Sequence, residues 1–194
     1  MRVFHWLMAL CFAGAYLTAE SEVWRLVHVT LGYTMLGLAV FRVVWGFAGT
    51  RYARFANFVC GPSKVSAYLR SLLSRSPAHF VGHNPAGAWA ILIVLALAFV
   101  VGLSGYCSYN DLAGEWVARL HDQASNLMLL VVMVHVGGVI VSSRLHQENL
   151  VGSMLTGYKY GAARDAVPRA WYSLAIALAL AVILFWLWQW KSVP

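Results

Sequence analysis

Four histidines, His5, His28, His121 and His135, fall within or at the ends of long apolar stretches. An ionisable side chain in such a stretch is costly and usually serves a function. If the stretches cross a membrane in turn, His5 lies near one face and His28 near the other. His121 begins the fourth stretch, level with His28. His135 follows it by 14 residues, about 21 Å deeper at 1.5 Å per residue, and so is level with His5. Fourteen residues is nearly four helical turns, which puts His121 and His135 on one face of one helix. Two imidazoles on facing helices suit a haem iron that only carries electrons. The pattern therefore predicts two stacked bis-histidine b-type haems, one held by His28 and His121 and one by His5 and His135. Gly32 and Gly138, about one turn beyond His28 and His135, are the small neighbours that a flat macrocycle needs.

Each histidine taken singly has a plainer reading, a polar group bonded across helices; four at paired depths favour ligation. Zinc fits less well, because its sites gather three or four ligands in one cluster. Arg42 lies 14 residues after His28, on the same face and level with His5 and His135. It either pairs with a haem propionate or snorkels to the interface, and the sequence leaves both open. Cys11, Cys60 and Cys107 are odd in number and scattered, so neither a disulfide framework nor an iron–sulfur centre follows. There is no C-x-x-C-H, which excludes covalent c-type attachment.

The elements that position these residues follow from composition. Of 194 residues, 61% are hydrophobic and 11% charged, against about 25% charged in soluble domains. Lipid is the solvent for most of this surface, and the continuous apolar runs select helices over a barrel. Five stretches stand out: Val3–Ala19, Val23–Phe47, Pro85–Gly105, Trp116–Val141 and Ala170–Trp190. Each is near the ~20 residues that span a bilayer. The expected fold is an all-α integral membrane bundle. A four-helix haem-binding core occupies residues 1–160, and a fifth C-terminal transmembrane helix, without a candidate ligand, occupies 161–194. The first stretch is not a signal peptide on this reading, since Arg2 is its only charge and it carries His5.

The net charge of +7 is spread between the apolar runs, which argues against nucleic acid and for a topology signal. The 48–83 connection holds Arg51, Arg54, Lys64, Arg70 and Arg75 with no acid. Arg144, Lys159, Arg164 and Arg169 follow the fourth stretch, whereas Arg25 and Arg119 lie at the other side beside Glu20, Glu22, Asp111, Glu115 and Asp122. The positive-inside rule places the N-terminus and both basic loops in the cytoplasm. Ser63–Ser74 reads as a short amphipathic helix on that surface.

The chain resembles the b-type cytochrome subunit of nickel–iron hydrogenases and the related bacterial cytochrome b561 proteins. The resemblance rests on RVFHW (Arg2–Trp6), HVTLGY (His28–Tyr33), FRVVWG (Phe41–Gly46), GHNPAG (Gly82–Gly87), the pair His121 and His135, and ENLVGSMLTGYK (Glu148–Lys159). It implies two haems b at the four histidines, in a protein of the bacterial inner membrane. It also implies electron exchange between a periplasmic redox partner and the quinone pool. The partner would be a hydrogenase-like enzyme or, given the short Cys107–Arg119 connection and the nearby acids, a basic cytochrome c. The resemblance places a quinone near the cytoplasmic haem, where His83 would relay a proton and Asn84 would bond a quinone carbonyl. Asn84 also suits a helix N-cap with Pro85 at the first helical position, and the two roles are compatible. Two rivals within reach of the same residues are a cofactor-free membrane anchor and a stand-alone superoxide or quinone oxidoreductase. Superoxide chemistry would need a cation-lined pocket that only Arg25 and Arg119 could supply. An oligomer is compatible with every one of these readings.

Overall fold

A computed structural model describes residues 1–72, 80, 82–159, 166 and 171–192. The described residues form an all-α membrane protein: α1 (Arg2–Thr18), α2 (Arg25–Ala48), α3 (Pro62–Ser71), α4 (Pro85–Tyr109), α5 (Gly114–Leu145), α6 (Leu150–Thr156) and α7 (Tyr172–Lys191). A one-turn 3-10 helix, Phe55–Asn57, lies between α2 and α3. Among the described residues, α2, α4, α5 and α7 are long and apolar enough to cross a membrane. The first apolar stretch forms α1, whose 17 residues rise about 26 Å, just under the ~30 Å hydrocarbon thickness.

Each helix forms where the sequence allows its ends to be satisfied. Asn84 accepts the Gly87 N–H at 2.7 Å and starts α4, with Pro85 first in the helix. After Tyr109 the chain reverses in four residues, with Asp111 in the left-handed region (φ 51°) and Leu112 N–H donating to Cys107 O at 3.0 Å. This is a Schellman-type close built on an aspartate in place of the usual glycine. α5 closes in the same way at Gln147 (φ 51°), and Glu148 N–H donates to Ser143 O at 3.0 Å. The amphipathic segment expected over Ser63–Ser74 is α3, which starts one residue earlier, at Pro62, and stops at Ser71. Residues 73 and 74, like Ala170 of the fifth stretch, lie outside the described residues.

The contacts divide the chain into two units. The first is Met1–Arg42, Ala98–Ser125 and Arg169–Pro194; the second is Val43–Leu97 and Asn126–Pro168. In the first, α1 runs antiparallel to the start of α2. Phe4 meets Phe41 (6.1 Å between centroids), and a Cβ on Gly14 would lie 2.8 Å from Leu31 Cδ1. α7 packs against α1, and Trp186 Nε1–H donates to the buried Thr34 Oγ1 of α2 at 2.8 Å. In the second unit the connection after α2 folds onto itself. Phe55 occupies the space beside Gly46 that any side chain there would need, and Trp89 Nε1–H donates to Cys60 O at 2.9 Å. Buried Tyr68 anchors α3 edge-on against Phe80.

Candidate functional site

α1 ends at Thr18, so its last four carbonyls have no partner within the helix. One of them, Ala15 O, accepts a hydrogen bond from His28 Nδ1 of α2 at 2.8 Å. On the other side of the same unit, His121 Nδ1 of α5 donates to Val101 O of α4 at 2.9 Å. A carbonyl can only accept, so both Nδ1 atoms carry a proton, and in the neutral imidazole that leaves the Nε2 lone pair as the one to bond a metal. That is the arrangement of a metal-ligating imidazole, whose other nitrogen is oriented by a backbone carbonyl.

The two rings lie 6.1 Å apart between centroids, at 73°. Imidazole nitrogens bond metals at about 2.0 Å, and the ring centre lies about 1.2 Å further back, so one metal between two imidazoles separates the centroids by roughly 6.4 Å. The observed spacing matches that value. Gly105 makes this possible. It stands one turn after Val101 on α4, and a Cβ there would lie 2.9 Å from His121 Cε1 and 3.0 Å from Nδ1. At Gly32 and Gly138, by contrast, an added Cβ would meet nothing within 4 Å; Gly138 is exposed and Gly32 half-buried. The residues present therefore fit a haem at His28 and His121 by spacing and tautomer.

The remaining candidates are placed as follows. His5 lies on α1 in the first unit, edge-on to Trp6 (5.4 Å, 80°). The α1–α2 contacts pair residues whose numbers sum to 43–45. His5 is therefore level with residues 38–40 of α2, and Arg42 is about 3–6 Å further along. The Arg42 side chain is buried, with 2% of the residue exposed, so it does not simply snorkel outward. His135 is half-buried on α5 in the second unit. His83 is exposed, its ring 4.9 Å from that of Phe58. Asn84 fills the capping role, and its amide NH2 remains a potential donor. Among the described residues, no three of His, Cys, Asp and Glu gather to hold a metal ion. Arg25 lies 3.7 Å from Glu22 and Arg119 lies 3.5 Å from Glu115, so each arginine offered for a cation-lined pocket has an acid beside it. Sequence reasoning did not find Ala15, Val101 or Gly105, because backbone acceptors and their access leave no residue-type signal.

A family model described as prokaryotic cytochrome b561 matches residues 1–157. The chain belongs to that family. Similar curated proteins are named probable Ni/Fe-hydrogenase B-type cytochrome subunits. The one from Azotobacter vinelandii is 24% identical, over 82% of this chain and 85% of its own length. The one from Rhizobium leguminosarum bv. viciae is 23% identical, over 69% and 67%. That from Escherichia coli K12, named for hydrogenase 1, is 24% identical, over 57% and 58%. No solved structure matches the chain significantly. Family membership makes this a b-type cytochrome, a transmembrane protein of electron transport. In this cytochrome, α4 offers no candidate ligand, yet it seats His121 through Val101 and Gly105.

Proposed function

We propose that the chain carries electrons across the bacterial inner membrane between a periplasmic redox partner and the quinone pool, through two haems b. Haem b supplies a one-electron iron couple, and the protein supplies ligation, spacing and tuning. The observation that carries the reading is the His28–His121 pair, with both Nδ1–H groups on backbone carbonyls and ring centroids 6.1 Å apart. His28 and His121 hold the periplasmic haem. His5 and His135 hold the cytoplasmic one, a pairing supported by their depths in the sequence. Arg42, buried and close to the level of His5, pairs with a propionate there. At the start of α4, His83 relays a proton to the quinone and Asn84 bonds its carbonyl. Five crossings, with the N-terminus in the cytoplasm, follow from the charge distribution and from counting α1 as a span.

The names of the similar proteins support a hydrogenase-like partner. The acids Glu20, Glu22, Asp111, Glu115 and Asp122 are all exposed, which also suits a basic cytochrome c. The test is a reduced-minus-oxidised spectrum of the purified protein, with haem content from the pyridine haemochrome. The expected result is two haems b per chain, one lost in His121→Ala and the other in His135→Ala. Absence of any α-band would overturn the reading and leave a cofactor-free anchor.

A further inference from the structure

A charged pair in the second unit has no part in ligating haem. Lys159 Nζ lies 3.4 Å from Glu148 Oε2 and donates to Phe80 O at 2.9 Å. The Glu148 side chain is only 9% exposed and that of Lys159 23%. The five acids of the first unit are all exposed, so burial singles Glu148 out. Within the sequence of the second unit the acids are Glu148 and Asp165, and the latter lies outside the described residues. Desolvating two charges offsets most of their attraction, so such a pair is weak evidence for stability. Such a pair is better explained by a role in chemistry at this face.

The backbone is built to hold the pair. Gln147 turns the chain in the left-handed region just before Glu148, and Asn149 caps α6 just after it, accepting Gly152 N–H at 2.7 Å. α6 ends at Gly157 (φ 84°), which redirects the chain two residues before Lys159. Phe80, the carbonyl partner of Lys159, precedes His83 by three residues and so lies within about 11 Å of it.

We infer that Glu148, held by Lys159, is the proton-exchange group of the quinone site. The inference rests on the quinone reading above. Reduction of a quinone to quinol takes two electrons from the haem side and two protons from water. Glu148 takes up a proton at the basic face and passes it through water to His83, which delivers it to a quinone oxygen at the His83–Asn84 turn. Quinol oxidation runs the same transfer backwards, releasing two electrons and two protons. Lys159, 3.4 Å away, holds the carboxylate in position for each transfer. The other ionisable groups on the described segments that meet here are Arg144 and His146 at the end of α5, Tyr158 beside Lys159, Tyr68 of α3 against Phe80, and His83 before α4. They remain in every variant below.

The test uses the full-length haem-loaded protein in detergent, mixed rapidly with a short-chain ubiquinol or menaquinol across the neutral pH range. Glu148→Gln should slow haem reduction at least roughly tenfold and flatten its pH dependence. Its dithionite-reduced spectrum should stay unchanged, and Glu148→Asp should restore the pH dependence. Lys159→Gln, which removes the cation that holds the carboxylate, should slow the reaction as well, with the spectrum unchanged. An unchanged rate and pH profile in Glu148→Gln overturns the inference. If Glu148→Gln loses its haems, the Lys159→Gln rate decides: a slowed rate supports the inference and an unchanged rate overturns it. Wild-type protein that neither quinol reduces overturns the quinone reading itself.

Discussion

Alanine at Gly105 should selectively damage the site at His28 and His121. The new Cβ would lie 2.9 Å from His121 Cε1, and carbon atoms in ordinary contact stay about 3.5 Å apart. The ring must then retreat by roughly 0.6 Å. The bond from Nδ1 to Val101 O, now 2.9 Å, would lengthen towards about 3.5 Å, past the ~3.2 Å limit of a useful N–H···O bond. Overpacking of this kind typically costs about 1–3 kcal/mol, and the helix gains back roughly 1 kcal/mol from replacing glycine. The polypeptide should therefore fold, while the imidazole loses both its position and the acceptor that fixes its tautomer. Haem content of Gly105→Ala should fall from two per chain towards one, or one of the two midpoint potentials should move while the other stays. Gly37→Ala is the control. It is the same substitution within α2 at an exposed position where a Cβ would meet nothing within 4 Å, and it should leave both haems in place. Two haems with unchanged potentials in Gly105→Ala would refute the seating of His121 by α4.

Alanine at Gly32 or Gly138 meets no protein atom within 4 Å, so the empty chain should lose no stability. A haem lying against either glycine would be crowded. Affinity for that haem should drop roughly tenfold or more, as measured by titrating haem into the apoprotein; unchanged affinity would mean that the open space is not the haem cradle. Trp186→Phe removes the donor to Thr34 Oγ1 and keeps the ring. Loss of one interhelical bond in a membrane protein averages about 0.6 kcal/mol and reaches about 1.7. Thermal unfolding in detergent should shift down accordingly with the haem spectrum intact, and a changed spectrum would show that α7 acts on the haems as well.

The helices were legible because lipid imposes a simple rule: long apolar runs must be helical. Four of the five stretches appear as helices long enough to span, and the fifth, α1, fell at the lower limit in the sequence as it does in the structure. The boundaries moved where turn chemistry decides. α4 continues past Gly105 to Tyr109, and α5 begins at Gly114 and runs to Leu145, because two left-handed residues, Asp111 and Gln147, set where the chain turns. Neither residue is a glycine, so neither gave a stop signal. The His28–His121 proximity was legible from depth alone, since side chains at one level on neighbouring helices have few places to go. Their carbonyl partners were not, because Ala15 and Val101 look like any other apolar residue. Asn84 lay between: its capping role follows from residue type and position, whereas the burial of Glu148 depends on how two turns outside the membrane helices are directed.

The two histidines of the described pair are also seated by different means, which bears on how the site tolerates change. His28 uses a carbonyl left over at a helix end, so its seat depends on where α1 stops. Thr18 Oγ1 bonds Gly14 O at 2.7 Å and Ala15 O at 3.2 Å in that last turn, and helps to hold it. His121 instead bonds a carbonyl in the interior of α4, within reach because residue 105 has no side chain. The first seat can absorb a shift of the helix end, since carbonyls of a terminal turn are free to take new partners. The second cannot, because it requires one glycine at one position of an otherwise regular helix. Of the two proposed ligands, His121 is therefore the one whose environment is set by close packing, and substitutions on α4 around Gly105 should disturb the site more than substitutions on α1 around Ala15.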